Sequence, residues 1–337
     1  MINARGRAAE SVSGAVNLKE GIVRLRSLSF LSFLVPLIII ANSAPAQLTA
    51  VKVGHNGFSD ETVFYLAREV GIFKKHGIGL ELIYIPGGSL SMQALIGKSL
   101  DLLLAGGTPL VYAQLKGADL RMIGGVNNLL PYVLVARENI TRAEQLKGKK
   151  VGISRFGSNT DFVVKLAATQ LGLNPKSDIQ IMQTGGQDAR VVALKSGAVD
   201  ATVLTPDVAF IGRKLGFNAL LDFVDKGIEY QHVGIGSRTD YLKSQGDTAR
   251  RFMRAYLESI RYYFSHKDEA IRKSMQLLKV DDRQVGEIGF ALRQKTLPID
   301  GKPTVKGMQL VLDAAAEDDP KAKTLSPQQL IDLSFLP

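Results

Sequence analysis

Hydrophobic and polar positions first alternate and then recur with helical spacing, and this sequence of patterns occurs early in the chain. An alternating segment at 48–54 predicts a strand, apolar residues three and four apart predict a helix at 60–70, and 80–85 predicts a second strand. A helix ending near Gly97 and a strand at 100–105 follow. The order β-α-β-α-β is typical of a parallel sheet in an α/β protein.

The same order of patterns begins again near residue 149. Segments 150–154, 178–182 and 200–204 predict strands, and the helical segments 159–171 and 189–196 lie between them. Glycines end both helical segments, as is common at helix C-termini. The chain therefore contains two copies of one α/β unit, and we expect two lobes.

Part of the repeat is visible in the residues themselves. Segments 87–109 and 185–206 both open on Gly-Gly, pass through Ala-Leu, reach an aspartate after an apolar residue, and close on Thr-Pro. The aspartates, Asp101 and Asp200, follow a helix-ending glycine and begin a strand, so we interpret them as structural residues whose carboxylates bond the backbone of the turn. Neither copy has a complete G-x-G-x-x-G motif, so a dinucleotide site is not indicated.

The segments around the second copy predict how the lobes are joined. Short apolar strands at 131–136 and 231–235 flank it and suit two crossings between lobes, which together form a hinge. After residue 240 the pattern is helical, at 249–264, 270–278 and 305–316. We predict one lobe from 47–133 plus 234–337 and a second from 134–233.

The first 46 residues have the order of a secretory signal peptide. Arg24 and Arg26 precede an apolar run at 28–40, and small residues ending at Ala46 follow. The run is shorter than the roughly 20 residues of a membrane span. We predict cleavage after Ala46 and export to the periplasm, with an uncleaved anchor as the alternative.

Composition narrows the possible chemistry. The 337 residues include no cysteine, which excludes disulfides, thiolate metal sites, cysteine nucleophiles and a lipid-bearing N-terminal cysteine. The net charge of +10 can favour anionic ligands. The basic residues are spread out and no nucleic-acid-binding motif occurs, so we expect no nucleic-acid partner.

Candidate ligand-binding residues lie where predicted strands lead into helices. Ligands of open α/β sheets bind at the carboxyl ends of strands, where helix N-termini present free N–H groups. Two facing lobes would line one cleft with such loops, rich in glycine, hydroxyls and amides. The candidates are Asn56, Gly57, Phe58, Gly88, Thr108, Arg155, Phe156, Gly157, Ser158, Asn159 and Thr205. For His55 and Arg155, ligand contact and an ordinary loop position both remain open.

Several of these segments resemble a known family. The stretches YLAREVGIFKKHG at 65–77 and LKGKKVG at 146–152, with Gly87-Gly88 and Gly157-Ser158, are similar to the solute-binding proteins of ABC importers for aliphatic sulfonates, taurine and nitrate, a group that includes binders of thiamine pyrimidine precursors. The resemblance covers about residues 50 to 240. It implies a type II periplasmic binding protein, with two α/β lobes, two hinge crossover strands and a helical C-terminal segment.

The resemblance also implies a function. We expect a monomeric receptor that captures a small anionic ligand, such as a sulfonate, nitrate or carboxylate, in the cleft between the lobes by hinge closure and delivers it to an ABC permease in the inner membrane, without a cofactor. The sulfonate binders have a Lys-Gly-Ser-Ser-Ala-His phrase where this chain has Arg155 to Asp161, with Phe156 added and Asp161 in place of the histidine. Sulfonate, nitrate, carboxylate and heteroaromatic ligands therefore all remain open.

Two other classes of function compete with a receptor. The family resemblance extends to a pyrimidine synthase that uses a histidine and a cysteine-rich stretch, so an enzyme is the main alternative, although cysteine is absent here. The four histidines have no metal-ligand spacing, and no Gly-x-Ser-x-Gly motif occurs. A ligand-sensing domain of a transcription factor is the third reading, but the N-terminus has a leader in place of a DNA-binding helix pair.

Overall fold

Ten strands form two five-stranded sheets in the part of the chain that the computed structural model describes, residues 47–57 and 59–337. The predicted signal peptide and Phe58 lie outside the described residues. In chain order the strands are β1 Thr49–His55, β2 Ile78–Tyr84, β3 Leu102–Ala105, β4 Leu120–Leu129, β5 Val133–Ala136, β6 Lys149–Ile153, β7 Ile179–Gln183, β8 Ala201–Leu204, β9 Asn218–Asp222 and β10 Glu229–Arg238.

Helices connect the strands and make up most of the C-terminal part. Over the same described residues they are α1 Thr62–Glu69, α2 Ile72–Lys75, α3 Gly88–Ile96, α4 Gly107–Leu115, α5 Asn159–Gln170, α6 Gln187–Ser196, α7 Pro206–Lys214, α8 Thr239–Ser244, α9 Gly246–Ser265, α10 Lys267–Leu278, α11 Arg283–Thr296, α12 Val305–Asp318 and α13 Pro327–Leu330. Short 3₁₀ turns occupy Ala143–Leu146, Val224–Lys226, Pro320–Thr324 and Leu333–Phe335.

The two sheets have the same topology. The strand order is β2-β1-β3-β10-β4 in the first and β7-β6-β8-β5-β9 in the second. In each sheet three parallel strands are followed by one antiparallel strand, β10 or β5, which pairs with the last strand on its other side. This equivalence confirms the repeated unit that the sequence pattern predicts.

The repeated aspartates are structural, but they bond a different group from the one expected. Asp101 Oδ2 accepts the backbone N–H of Lys52 on β1 at 2.8 Å, and Asp200 Oδ2 accepts that of Lys150 on β6 at 3.0 Å. Each carboxylate therefore bonds the first strand of its own repeated unit, β1 or β6, and not the turn before it. The same side chain makes the same contact in both copies.

The chain passes between the sheets twice. It leaves the first sheet after β4 and enters the second at β5, and it returns from β9 to β10. The strands put Val133 in the second sheet and residues 229–233 in the first. The lobe limits at 133/134 and 233/234 stay predictions, whereas the helical C-terminal segment after β10 is confirmed.

The first sheet is covered by helices from both ends of the chain. Phe64 of α1 stacks on Tyr256 of α9 with 5.1 Å between ring centroids, and both side chains are fully buried against Val51 and Val53 of β1. Burial of large aromatic side chains contributes much of the stability of such a core. The C-terminal segment is thereby fixed to the first sheet.

Gly125 of β4 is expected to be intolerant of a side chain. A Cβ at this position would lie 2.3 Å from the backbone oxygen of Lys302 and 2.8 Å from the backbone nitrogen of Pro303, and neither can move aside easily. Gly125→Ala should therefore lower the free energy of unfolding by about 1–3 kcal/mol, as overpacking does elsewhere. Denaturant unfolding measures this quantity.

Gly236 of β10 is the matched control. Its added Cβ would have only ordinary contacts at 3.7 Å, so Gly236→Ala should change the free energy of unfolding by less than about 1 kcal/mol. Equal effects of the two substitutions would show that the segment at 301–303 does not pack on β4 as described.

Candidate functional site

A cavity of about 100 Å³ lies between the two sheets, at the carboxyl ends of their parallel strands. Each of the six parallel strands contributes residues that follow its last position. The contributing residues include Asn56 and Gly57 after β1, Gly87 and Gly88 after β2, Gly106 after β3, Ser154 after β6, Gly186 and Gln187 after β7, and Thr205 after β8. The position is the one that the topology of an open α/β sheet favours for a ligand.

Six of the eleven sequence candidates are among the lining residues. They are Asn56, Gly57, Gly88, Ser158, Asn159 and Thr205. Asn56 is oriented by its own bonds, since its Nδ2 donates to Ile85 O at 3.0 Å and to Ser91 Oγ at 2.7 Å. Asn159 likewise donates to the backbone oxygen of His232 at 2.7 Å. The amide side chains are therefore fixed before any ligand arrives.

Four other candidates are not among the lining residues. Thr108 is buried and its hydroxyl bonds the Tyr230 hydroxyl at 2.7 Å. Phe156 is 54% exposed, and the N–H of Gly157 donates to Asp161 Oδ2 at 2.9 Å within the turn before α5. Arg155 extends its aliphatic part toward Gly87 across the cleft. Ligand roles for these residues, and for Phe58 outside the described residues, stay predictions.

His55 does not line the cavity either. It is buried at the end of β1, with Nδ1 2.5 Å from Gly57 O and Nε2 2.8 Å from the Tyr65 hydroxyl. Burial is the main cause that lowers the pKa of His55 from 6.5 to about 4. A neutral imidazole with both nitrogens engaged is a structural feature of the loop after β1.

Direct hydrogen bonds join the two walls of the cleft. Ser59 Oγ, after β1, donates to Asp207 Oδ2 on α7 at 2.8 Å. Ser89 Oγ on α3 donates to the backbone oxygen of Phe156 at 2.8 Å. Because these bonds link residues that follow strands of different sheets, the cleft is closed in this structure.

Asp60 is a buried carboxylate that sequence reasoning missed. Arg293 Nη1 of α11 lies 2.6 Å from its Oδ1, His232 Nε2 of β10 lies 3.2 Å from its Oδ2, and Asn127 Nδ2 donates to Oδ1 at 2.9 Å. Burial alone would raise the pKa of Asp60, but the Arg293 charge and these hydrogen bonds outweigh burial and hold the pKa at about 2. The contact between Arg293 and Asp60 is an ion pair, but its geometry is not that of a hydrogen bond.

Glu61 is a second buried carboxyl and also lines the cavity. No cationic side chain lies within ion-pair distance of it among the described residues. Burial, and then the negative charge of Asp60 beside it, raise the pKa of Glu61 from 4.5 to about 8. The carboxyl is therefore mostly protonated at neutral pH.

Arg190 is a buried cation without a counter-ion. It lies in the first part of α6, is only 4% exposed and lines the cavity. Nη1 donates to Gly185 O at 3.0 Å and Nη2 to Val203 O at 3.2 Å, while Nε has no partner. No carboxylate lies within ion-pair distance of Arg190 in the part of the chain described here, and burial lowers its pKa. Asp188 of the same helix acts on Arg190 only from beyond ion-pair distance, so the guanidinium has no carboxylate in direct contact among the described residues.

Two other kinds of site have no support in the described ranges. Residues 47–57 and 59–337 hold no group of three or more histidine or acidic side chains placed to bind a metal. None of the helices in those ranges has both the length and the hydropathy of a membrane-spanning helix.

Two sheets of identical topology on either side of a polar cavity are the architecture of the periplasmic binding protein fold. Residues 59–270 match the model of the NMT1/THI5 like family, and the chain belongs to that family. The binding protein YtlA of Bacillus subtilis is 25% identical over 237 residues, which cover 68% of this chain and 70% of YtlA.

Solved structures agree on the fold. The alkanesulfonate-binding protein SsuA from Xanthomonas axonopodis pv. citri, bound to MOPS, superposes with a TM-score of 0.69 at 18% identity, covering 86% of this chain and 97% of its own. A ligand-binding component of an ABC-type import system from Staphylococcus aureus has a TM-score of 0.70 at 13% identity, covering 86% and 98%. The predicted fold class is confirmed.

Glu61 should make stability depend on pH. Between pH 4.5 and 8 the folded state keeps a proton that the unfolded state has released, so the free energy of unfolding falls as pH rises through this range. Glutamine does not titrate. The free energy of unfolding of Glu61→Gln should therefore increase relative to that of the unsubstituted protein as pH rises. Near pH 4 the two free energies of unfolding should become equal.

Denaturant unfolding of the ligand-free protein from pH 4 to pH 9 checks this expectation. Glu81→Gln, an exposed position on β2, is the matched control and should follow the unsubstituted protein throughout. A constant difference between Glu61→Gln and the unsubstituted protein across the range would contradict the raised pKa.

Proposed function

We propose that this protein is the extracytoplasmic receptor of an ABC importer and that its ligand is a small anion. The observation that carries the proposal is Arg190, a buried cation in the cleft with no carboxylate partner among the described residues. Leaving a charge buried and unpaired is costly, so a ligand that supplies the missing negative charge gains that energy on binding.

Helix N-termini around the cavity support the same sign of charge. α5, α6 and α7 all begin next to lining residues, after Ser158, Gly186 and Thr205. Each N-terminus favours an anion by about 0.3–1 kcal/mol at exposed sites and up to about 2 when partly buried. Together with a charged hydrogen bond of about 1.5–3 kcal/mol, these donors approach the ~8 kcal/mol of micromolar binding.

Capture by lobe closure would follow from the bonds across the cleft. An anion that touches both walls binds the closed form better than the open one and shifts the population toward closure. The permease partner is inferred from the family and from the import-system component with the same fold. The order of residues in the leader pattern at 1–46 supports export to the periplasm.

A thermal-shift screen tests the proposal. The exported protein, stripped of bound ligand by unfolding and refolding, would be heated with ethanesulfonate, propionate, nitrate and benzoate, each beside an uncharged amide or alcohol of similar size. A ligand at a hundred times its dissociation constant adds ~2.7 kcal/mol of stability. Stabilisation by an anion and not by its neutral counterpart is expected, whereas equal shifts with the neutral compounds would overturn an anion-specific site.

A further inference from the structure

Helices α7 and α11 form a contact between the lobes that lies outside the cavity. α7 belongs to the second lobe, because Val208 is buried with Val133 and Leu204 in the core of the second sheet. α11 belongs to the first lobe, because Phe290 is buried in the same core as Val51 of β1. A hinge movement that opens the cleft would therefore separate these two helices.

Asp207, the second residue of α7, is buried in this contact. Its side chain is fully inaccessible to water, and Oδ1 accepts the backbone N–H of Val208 at 3.0 Å. Oδ2 accepts the hydroxyl of Ser59, which follows β1, at 2.8 Å. The bond to Ser59 joins the two lobes, so it exists only while the cleft is closed.

Arg293 of α11 interacts with carboxylates from both lobes. Its Nη1 lies 2.6 Å from Oδ1 of Asp60 in the first lobe. Burial alone would lower the pKa of Arg293, but nearby negative charges, Asp60 first and Asp207 among the others, raise it. Closure therefore brings a negative charge of the second lobe close to a buried guanidinium of the first.

Gly289 of α11 leaves room for the Asp207 side chain. A Cβ at this position would lie 3.5 Å from Asp207 Oδ2 and 3.4 Å from Ser274 Oγ, which are ordinary contacts. A longer side chain would need the space that Asp207 occupies in the closed cleft. Glycine is unfavourable in the interior of a helix, so its presence here fits a need for space.

Two exposed ion pairs also connect the lobes beside this buried contact. Lys214 Nζ of α7 lies 2.5 Å from Oδ2 of Asp282, the N-cap residue of α11. Lys295 Nζ of α11 lies 3.9 Å from Asp225 Oδ1 of the second lobe. Exposed ion pairs contribute little to stability. The buried residues therefore provide most of the favourable energy of the contact.

We propose that Ser59, Asp207, Gly289 and Arg293 form a latch that closes the cleft before a ligand binds. The latch keeps about a tenth or more of the ligand-free protein closed. The apparent dissociation constant of a ligand that binds the closed form is its intrinsic value divided by the closed fraction. Asp207 thus sets affinity without lining the cavity, and the inference holds whether or not the ligand is an anion.

The distance between two spin labels measures the closed fraction directly. Because the chain has no cysteine, Lys116→Cys and Lys195→Cys, exposed positions on different lobes, can be labelled specifically. Double electron–electron resonance on refolded, ligand-free protein gives the distribution of distances. We expect about a tenth or more of the molecules at the spacing of the closed structure. No population at this spacing would overturn the latch.

Substitutions of Gly289 test the latch sterically in the labelled protein. Gly289→Leu should reduce the closed population at least about fivefold, because the leucine side chain needs the space of Asp207. Gly289→Ala is the matched control, and its Cβ fits, so the closed population should stay within about twofold. Equal closed populations in these two variants would overturn the proposal.

A charge substitution tests the latch without added bulk, so the test does not depend on whether Gly289→Leu folds. Asp207→Asn keeps the shape of the side chain but removes its negative charge, and it should reduce the closed population at least about threefold. Lys214→Gln breaks the exposed pair with Asp282 and is the control, with no change expected. An unchanged or larger closed population in Asp207→Asn would overturn the latch. No ligand is added in these measurements, so their outcome is independent of the anion screen.

Discussion

Arg293→Met is expected to lower the free energy of unfolding by about 3–5 kcal/mol, because it would leave the Asp60 carboxylate buried without its main cation. Asp60 and Arg293 are both essentially inaccessible to water, and Nη1 lies 2.6 Å from Oδ1. The long apolar side chain of methionine replaces most of the volume, so the loss reports the charge and not a cavity. Denaturant unfolding at pH 7 measures it.

A double-mutant cycle tests the cause of this loss. Asp60→Asn combined with Arg293→Met removes both charges, and the double variant should recover much of the stability lost by Arg293→Met alone. Arg283→Met, an exposed position on the same helix, is the control and should change stability by less than about 0.5 kcal/mol. Additive effects of the two core substitutions would contradict the ion pair.

The pH dependence of this pair has a definite sign. The folded-state pKa of Asp60, about 2, lies below its ordinary value of 3.8, so its contribution is present above pH 3.8 and is lost as pH falls toward 2. The difference between Arg293→Met and the unsubstituted protein should therefore shrink over that window.

Arg190→Gln is expected to weaken binding of the anionic ligand by at least about thirtyfold, since truncating one member of a buried charge pair costs about 2–5 kcal/mol. Titration calorimetry with the best anion from the screen measures the affinity. Arg213→Gln, an exposed position on α7, is the matched control and should leave affinity unchanged.

Stability distinguishes the two buried arginines. Arg190 has no carboxylate to leave unpaired in the described structure, so Arg190→Gln in the ligand-free protein should lose no more than its two backbone hydrogen bonds, about 1–3 kcal/mol in total. If Arg190 binds the ligand, Arg190→Gln should lose affinity for the anion and should lose less stability than Arg293→Met loses. Unchanged affinity would remove Arg190 from the site.

The fold could be predicted from local signals because each element carries its own. Strand alternation, helical spacing and helix-ending glycines recur in both copies, and the positions after the strands placed Asn56, Gly88, Ser158 and Thr205 at the cavity. Those inferences need only the strand order, since a parallel sheet brings the carboxyl ends of its strands to one edge.

The charged residues of the site could not be predicted in the same way. The pair of Asp60 and Arg293 joins distant parts of the chain, and no local pattern marks such a contact. For Arg190 there was a signal: counting from the second glycine of each repeat, its position corresponds to Met92, which is buried in α3. An arginine at the position where the other copy has a core methionine indicates that this buried positive charge serves a function.

Some candidates lie away from the cavity for a related reason. Thr108, Arg155 and Phe156 have suitable chemistry and lie in the right loops, but loop membership does not determine the direction of a side chain. Thr108 points to Tyr230, and the Phe156 ring is largely exposed. Only three-dimensional packing separates such residues from those that face the cleft.

A crystal structure with selenate, a small anion that scatters anomalously, tests directly whether Arg190 forms an anion-binding site in the cleft. We expect an anomalous peak in the cavity beside Arg190 and the start of α6, and loss of that peak in Arg190→Gln crystals grown under the same conditions. A peak that persists in the variant, or selenate bound only outside the cleft, would contradict an anion site built on Arg190.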